Sequence, residues 1–304
     1  MRISFITMQN SLVRQLDHQA EDIARLTNES SSGLKLTTPS DDPLAYSQAM
    51  NITQELSKYD TYSSNIDFAT SWNETSDSAI SDMIEQLQTA LTTAISAVND
   101  TSDSTTADAN VATIESIIEQ MVSLANTQYD GRYLFGGTAD LTSTEAFSMD
   151  SSGIVTYNGD TGSIAVRTGS GSSNTVTVNI NGEDLMNYTA ADETTTNILT
   201  TLYDLKEAID SGDTDAIQTY EADLNLALDH LSSAESTVGA RLNRLDSQSS
   251  ALENLTLSKK STRTDLQDAD YTEVLTQLTQ KQTAYSATLE VISTLSSLNL
   301  TQYL

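Results

Sequence analysis

The side chains best suited to catalysis are few in this chain and lie far apart. His18 and His230 are its two histidines, and no motif links them. The sequence has none of the short arrangements typical of zinc proteases, serine hydrolases or phosphate-binding loops. Asp160-Thr161-Gly162-Ser163 includes the Asp-Thr-Gly triplet of aspartic proteases, but paired-carboxylate chemistry requires a second copy or a homodimer around it. We interpret the triplet as an ordinary turn.

Metal and thiol chemistry are equally poorly supported. Cysteine is absent, which excludes disulfides, thiolate nucleophiles and thiolate metal sites. Aspartate is abundant, but neither the ligand spacing of an EF-hand loop nor a glycine-rich calcium repeat occurs. The sequence therefore predicts no catalytic residues, no metal and no cofactor, and indicates a structural protein rather than an enzyme.

Charge narrows the possible partners. The 304 residues carry a net charge of −29, and residues 61–240 contain 28 acidic residues against 3 basic ones. Such a surface repels phosphate backbones and anionic lipid headgroups, so we expect neither nucleic acid nor a membrane as partner. No stretch reaches the ~20 apolar residues that a membrane span requires. A solvated, aggregation-resistant exterior or a salt-adapted source would each explain the acidity.

The elements that would position functional side chains are long helices, and those at the two ends share one pattern. One is expected at about 5–31 and the other within 265–304. Apolar residues in both alternate in spacing between three and four, which places a narrow stripe along a coiled-coil seam. The stripes contain Leu12, Leu16, Ile23 and Leu26, and then Leu275, Leu278, Tyr285, Leu289 and Ile292. Gln9, Gln19 and Gln282 are their weak positions, so we expect these helices to need packing partners.

Further helices are expected inside the chain. Ser40-Asp41-Asp42-Pro43 is typical of a helix start, because Ser40 or Asp42 can cap free N–H groups and Pro43 is tolerated in the first turn. The polar stretch 99–110 is predicted to be a turn between two antiparallel helices. Helical periodicity resumes near Thr195, and Ser211-Gly212-Asp213 is predicted to start a new helix.

A β insertion interrupts these helices. Residues 136–182 contain 8 of the 12 glycines, together with runs that alternate with period two at 154–157, 164–167 and 175–180. Asn158-Gly159 and Asn181-Gly182 are hairpin signals. The predicted fold is mainly α with a small β insertion.

Several motifs resemble those of the flagellin-like axial proteins of the bacterial flagellum. Ser32-Gly33-Leu34-Lys35, followed by Pro39-Ser40-Asp41-Asp42-Pro43, is similar to the signature after that family's first helix. A second segment, Asp130-Gly131-Arg132-Tyr133-Leu134-Phe135-Gly136-Gly137, is similar to a signature of its hook–filament junction members. Near the end, Gln282-Thr283-Ala284-Tyr285-Ser286-Ala287 has a counterpart there too. The matches follow the family's order over the whole chain.

The resemblance implies a fold and a role. It implies an elongated helical rod with paired terminal coiled-coil helices (1–40 and 265–304), a helical rod domain (41–135 and 192–264) and a β-rich tip (136–191). It also implies a structural adaptor between hook and filament that self-assembles into a ring beside other axial proteins. Secretion by flagellar type III export and a cytoplasmic export chaperone are implied as well.

Two other functions stay open on the sequence. Flagellin shares Ser32-Gly33-Leu34, so a minor flagellin is the close alternative, although Pro39 and Pro43 favour the junction proteins. A helical adhesin or phage fibre is the distant one.

Overall fold

The computed structural model describes residues 5–99, 104–139, 144–150, 154–171 and 174–301. Within these ranges the chain forms seven helices and eight short strands. The helices are α1 (Phe5–Ser32), α2 (Pro43–Asn99), α3 (Ser104–Ala125), α4 (Gly182–Met186), α5 (Ile198–Ser211), α6 (Thr214–Gln267) and α7 (Tyr271–Thr301). The strands are β1 (Gln128–Tyr129), β2 (Arg132–Tyr133), β3 (Phe147–Met149), β4 (Val155–Tyr157), β5 (Ala165–Arg167), β6 (Thr175–Thr177), β7 (Asn187–Thr189) and β8 (Thr195–Asn197). The prediction of a mainly α chain with a small β insertion is confirmed.

Several helix ends lie where the sequence signals place them. α1 ends at Gly33, whose φ of +73° suits a residue without a Cβ. α2 begins at Pro43, because the Asp42 carboxylate accepts 3.0 Å hydrogen bonds from the backbone N–H groups of Leu44 and Ala45. Gly212 closes α5 in a left-handed conformation. The predicted helix boundaries at these positions are confirmed.

Two sequence signals were misread. The turn predicted at 99–110 was wrong for residues 104–110, because α3 begins at Ser104. Residues 100–103 lie outside the described residues. This stretch is polar but has no Gly or Pro, so it can be helical. Asn181-Gly182 is not a hairpin turn, since the Asn181 side chain caps α4 by accepting a hydrogen bond from the Asp184 N–H.

In the part of the chain that the structure describes, the strands form four separate antiparallel pairs rather than one sheet. The pairs are β1 with β2, β3 with β4, β5 with β6, and β7 with β8. The predicted strands near 155, 165 and 175 are present, but Asn158-Gly159 does not join β4 to β5, because β4 pairs with the unpredicted β3. The pair β7–β8 was also missed.

The chain divides into two compact units. Unit 1 consists of residues 1–58 and 254–304, and unit 2 of residues 59–253. The large buried cluster of apolar side chains lies within unit 2, and in the described residues it includes no residue of α1 or α7. At its centre Trp72 is 1% exposed and contacts the rings of Phe68 and Tyr129 at 5.7 and 5.9 Å. The predicted division into three domains stays a prediction.

Candidate assembly surface on the terminal helices

Helices α1 and α7 pack against each other within unit 1. The two helices are antiparallel, because the segment after α1 pairs with the segment before α7 through a bridge between Leu34 and Asp268. Two backbone hydrogen bonds support this bridge, from the Lys35 N–H to the Gln267 carbonyl (2.8 Å) and from the Ala269 N–H to the Gly33 carbonyl (2.9 Å). The two ends of the chain are therefore brought together in one helix pair.

On α1 the predicted stripe lies on the face that contacts α7. Leu26 is 1% exposed, and Leu12, Leu16 and Ile23 are half-buried. Gln19 completes the stripe, and its side-chain oxygen is buried without a hydrogen-bond partner among the described residues. Leu26 is the one fully buried residue among these described positions, so most of this face is only partly covered within one chain.

On α7 the contact face differs from the predicted stripe by one position in three places. The buried or half-buried positions are Val274, Leu278, Lys281, Tyr285, Thr288 and Ile292. Leu278, Tyr285 and Ile292 thus lie where the sequence predicted, whereas Leu275 and Leu289 are 42% and 45% exposed. Val274, Lys281 and Thr288 thus replace Leu275, Gln282 and Leu289. A spacing that alternates between three and four residues is compatible with either set, and apolarity favoured Leu289 over the polar Thr288. Within one chain, Leu289 is therefore outside the α1–α7 contact face.

Unit 1 also presents apolar side chains that the α1–α7 contact does not cover. Met8 and Val13 of α1 are 40% and 44% exposed, and Leu275, Leu289 and Val291 of α7 are 42–48% exposed. These side chains are accessible for contacts with other molecules. The two helices therefore carry apolar residues both between them and on their outer surface.

The signature 39–43 forms the turn between α1 and α2. The Asp41 carboxylate accepts hydrogen bonds from the backbone N–H groups of Thr38 (2.8 Å) and Thr37 (3.0 Å). These bonds hold the pKa of Asp41 below its usual range. Pro39, Ser40 and Pro43 are exposed, and Pro43 occupies the first turn of α2. The signature thus forms a local turn and caps the start of α2.

Acidification should therefore destabilise the chain. The pKa of Asp22 is lowered by its hydrogen bond to Lys281, and that of Asp160 by the backbone N–H and hydroxyl of Thr138. A lowered folded-state pKa gives stability that is present above the unfolded-state value, about 4, and is lost as pH falls through the folded-state value. We expect the denaturant concentration at the midpoint of unfolding to decrease as the pH is lowered below about 4. Asp41→Asn should flatten this decline relative to the parent chain, and an unchanged pH profile would contradict the role of Asp41.

The second signature, 130–137, connects the helices to the β insertion. Asp130 and Gly131 have φ of 51° and 75°, as the two-residue turn between β1 and β2 requires. Leu134 and Phe135 are fully buried. The Phe135 carbonyl accepts hydrogen bonds from the Gly182 N–H and the Tyr157 hydroxyl, both at 2.8 Å.

The remaining residues of this segment are equally structural. Gly137 has φ +70°, and a Cβ there would lie 2.1 Å from the Asp160 carbonyl oxygen. Gly136 is buried, Tyr133 is half-buried and Arg132 is exposed. The Asp160 carboxylate of the suspected catalytic triplet accepts hydrogen bonds from Thr138 and from the Gly162 N–H. These hydrogen bonds give Asp160 a local structural part in the β insertion.

The described residues offer little else for chemistry. His18 is exposed beside Glu21, and the His230 ring nitrogen Nε2 lies 2.8 Å from the Asp184 carbonyl. Within 5–99, 104–139, 144–150, 154–171 and 174–301, no group of three or more potential metal ligands occurs. The same residues include no helix long and apolar enough to cross a membrane.

Comparison with known proteins identifies the family. The model of the bacterial flagellin N-terminal helical region matches residues 3–140, and that of the C-terminal helical region matches residues 222–304. The chain belongs to the flagellin family. The two matched regions include the whole of α1 and α7.

Individual relatives are more specific. The chain is 23% identical over 321 residues to flagellar hook-associated protein 3 of Salmonella typhimurium, with 99% of each chain covered, and equally similar to that of Escherichia coli. A putative flagellar hook-associated protein from Vibrio parahaemolyticus has the same fold (TM-score 0.67, 20% identity, 75% of this chain and 100% of that one). So does the flagellar junction protein of Legionella pneumophila (TM-score 0.62, 16% identity, 73% and 100%).

Proposed function

We propose that this flagellin-family chain is a structural adaptor that joins the flagellar hook to the filament. The relatives aligned over 99% of its length are named hook-associated protein 3, which supports the junction rather than the filament shaft. The observation that carries the proposal is the terminal helix pair, with its half-buried seam and its second set of exposed apolar side chains. These half-buried and exposed apolar side chains offer surface that a neighbouring copy can cover.

Assembly proceeds through these helices. Copies of the chain form a ring in which α1 and α7 pack against neighbouring subunits. The ring lies between another hook-associated protein on the side of the hook and flagellin on the side of the filament. Unit 1 carries 12 acidic and 9 basic residues, whereas unit 2 carries 31 and 5, so the nearly neutral unit is the one suited to close packing between copies. The chain leaves the cell by flagellar type III export with the help of a cytoplasmic chaperone, and the absence of cysteine suits passage as an unfolded chain.

Leu289→Asp tests the outer surface of the helix pair. Because Leu289 is 45% exposed, the charge should leave α1–α7 pairing and the thermal midpoint nearly unchanged. It should nevertheless prevent incorporation into the flagellum, since a neighbour would have to bury the new carboxylate. The measurement is motility and recovery of the protein in sheared flagella.

Thr283→Asp is the matched control, because Thr283 is exposed on the same helix and acquires the same charge. Normal motility in that strain and loss of incorporation in the Leu289→Asp strain support the proposal. Normal filament attachment with Leu289→Asp would refute the part assigned to this surface.

A minor flagellin is the second candidate, because both matching family models are those of flagellin itself. The two functions differ in extent along the flagellum. A junction protein occupies a short zone, and a flagellin extends along the shaft.

A further inference from the structure

Two ion pairs in unit 1 join its N-terminal segment to its C-terminal segment. The Lys281 ammonium lies 2.7 Å from an Asp22 carboxylate oxygen, and the Lys259 ammonium lies 2.6 Å from Glu55 Oε2. Glu55 Oε2 has no other partner among the described residues. In both pairs the acid belongs to residues 1–58 and the lysine to residues 254–304. Both ion pairs therefore join an acidic residue of the N-terminal segment to a basic residue of the C-terminal segment.

Lys281 occupies a position that a coiled coil normally gives to an apolar residue. It lies on the contact face of α7 between Leu278 and Tyr285, and its side chain is 43% exposed. A charged residue at such a position weakens the pair but restricts which partners and registers are acceptable. Its ammonium reaches Asp22 on the facing helix, where Arg25 adds a second cation at 3.8 Å.

Pairing of two α7 helices or of two α1 helices would lose the Asp22–Lys281 pair. If α7 of one copy packed antiparallel against α7 of another around Lys281, two ammonium groups would face each other. Two α1 helices packed around Asp22 would oppose carboxylates in the same way. Juxtaposed like charges discriminate against such wrong partners.

We propose that Asp22–Lys281 and Glu55–Lys259 determine specificity: they make the N-terminal segment pair with the C-terminal segment of its own chain. Selection matters because assembly brings many similar apolar helices together, and apolar seams alone do not discriminate among them. Asp22 keeps a lowered pKa through its hydrogen bond to Lys281, so this pair stays charged over the neutral range. The four side chains are 35–43% exposed, so both pairs must be changed together for a measurable effect.

The test is a charge swap in full-length chains. One variant carries Asp22→Lys and Glu55→Lys, a second carries Lys259→Glu and Lys281→Glu, and a third carries all four substitutions. Thermal unfolding of dilute chains at low salt, followed by helical circular dichroism, should show a midpoint lowered by about 5 °C in either double variant. The fourfold variant should return to near the parent value. The differences should shrink at ~1 M salt, where charges are screened within about 3 Å.

Asp17→Lys combined with Lys260→Glu is the matched control. Both residues are exposed, on the same helices as Asp22 and Lys259, and the substitutions are of the same types. The control should melt like the parent. An equal fall in the control, or no recovery in the fourfold variant, would overturn the inference.

Mixing the two double variants tests whether selection acts within one chain. An equimolar mixture should assemble no better than either variant alone, and rescue by mixing would overturn the within-chain part of the inference. This assembly readout rests on the proposed function, whereas the melting readout does not. Recovered melting in the fourfold variant would therefore support the inference whether or not that variant enters the flagellum.

Discussion

Leu26→Asp should abolish assembly and disorder the helix pair while unit 2 stays folded. Leu26 is 1% exposed on the contact face of α1. The substitution removes a buried apolar side chain and introduces a carboxylate without a partner, at a cost of at least about 3 kcal/mol. The apolar cluster of unit 2 includes no residue of α1 or α7 among those described, so its unfolding transition should persist.

The measurement combines circular dichroism with recovery of the protein from flagella. We expect lower helix content at room temperature, one retained cooperative transition and no incorporation. Thr27→Asp is the control, since Thr27 is the next residue, is exposed and receives the same charge. A Leu26→Asp chain that keeps its helix content and assembles would contradict the importance of the α1–α7 pair.

The other large effect is expected at Phe135. Its ring is fully buried in the core of unit 2, and its carbonyl accepts hydrogen bonds from Gly182 and Tyr157. Phe135→Ala should lower the free energy of unfolding of unit 2 by about 3–5 kcal/mol, because large-to-small changes in a core lose burial and leave a cavity. Denaturant unfolding followed by tryptophan fluorescence reports this directly, because Trp72, the chain's one tryptophan, lies in the same core.

Ile154→Ala is its control. Ile154 is also a large apolar residue of the β insertion, but it is 62% exposed, so its removal should change stability by less than about 0.5 kcal/mol. Similar losses in the two variants would show that the signature segment is not what anchors the insertion.

The sequence predicted the helices better than their partners. Helix ends at Gly33, Asp42 and Gly212 were readable because capping and left-handed glycine are local effects. The less exposed face of α1 could also be predicted, because Leu12, Leu16, Ile23 and Leu26 follow one spacing pattern along the helix. On α7 two sets of positions fit the spacing, and Lys281 rather than Gln282 lies on the contact face, where it binds Asp22, 259 residues away in the chain.

The β insertion was harder to predict for a related reason. Its strands are only two or three residues long, so alternation within each one says little about which strand it pairs with. The cue at Asn158-Gly159 indicated a bend but not the return of β4 to β3, which depends on side chains such as Asn126 binding the backbone of Phe147. Nor could the sequence show that the signature segment 130–137 binds the insertion through backbone carbonyls.

The most direct test of the proposed function is immunogold labelling of the protein on flagella of its native cell. The adaptor role predicts one short band of label between hook and filament. Label along the whole filament would contradict it and make the chain a flagellin of the shaft.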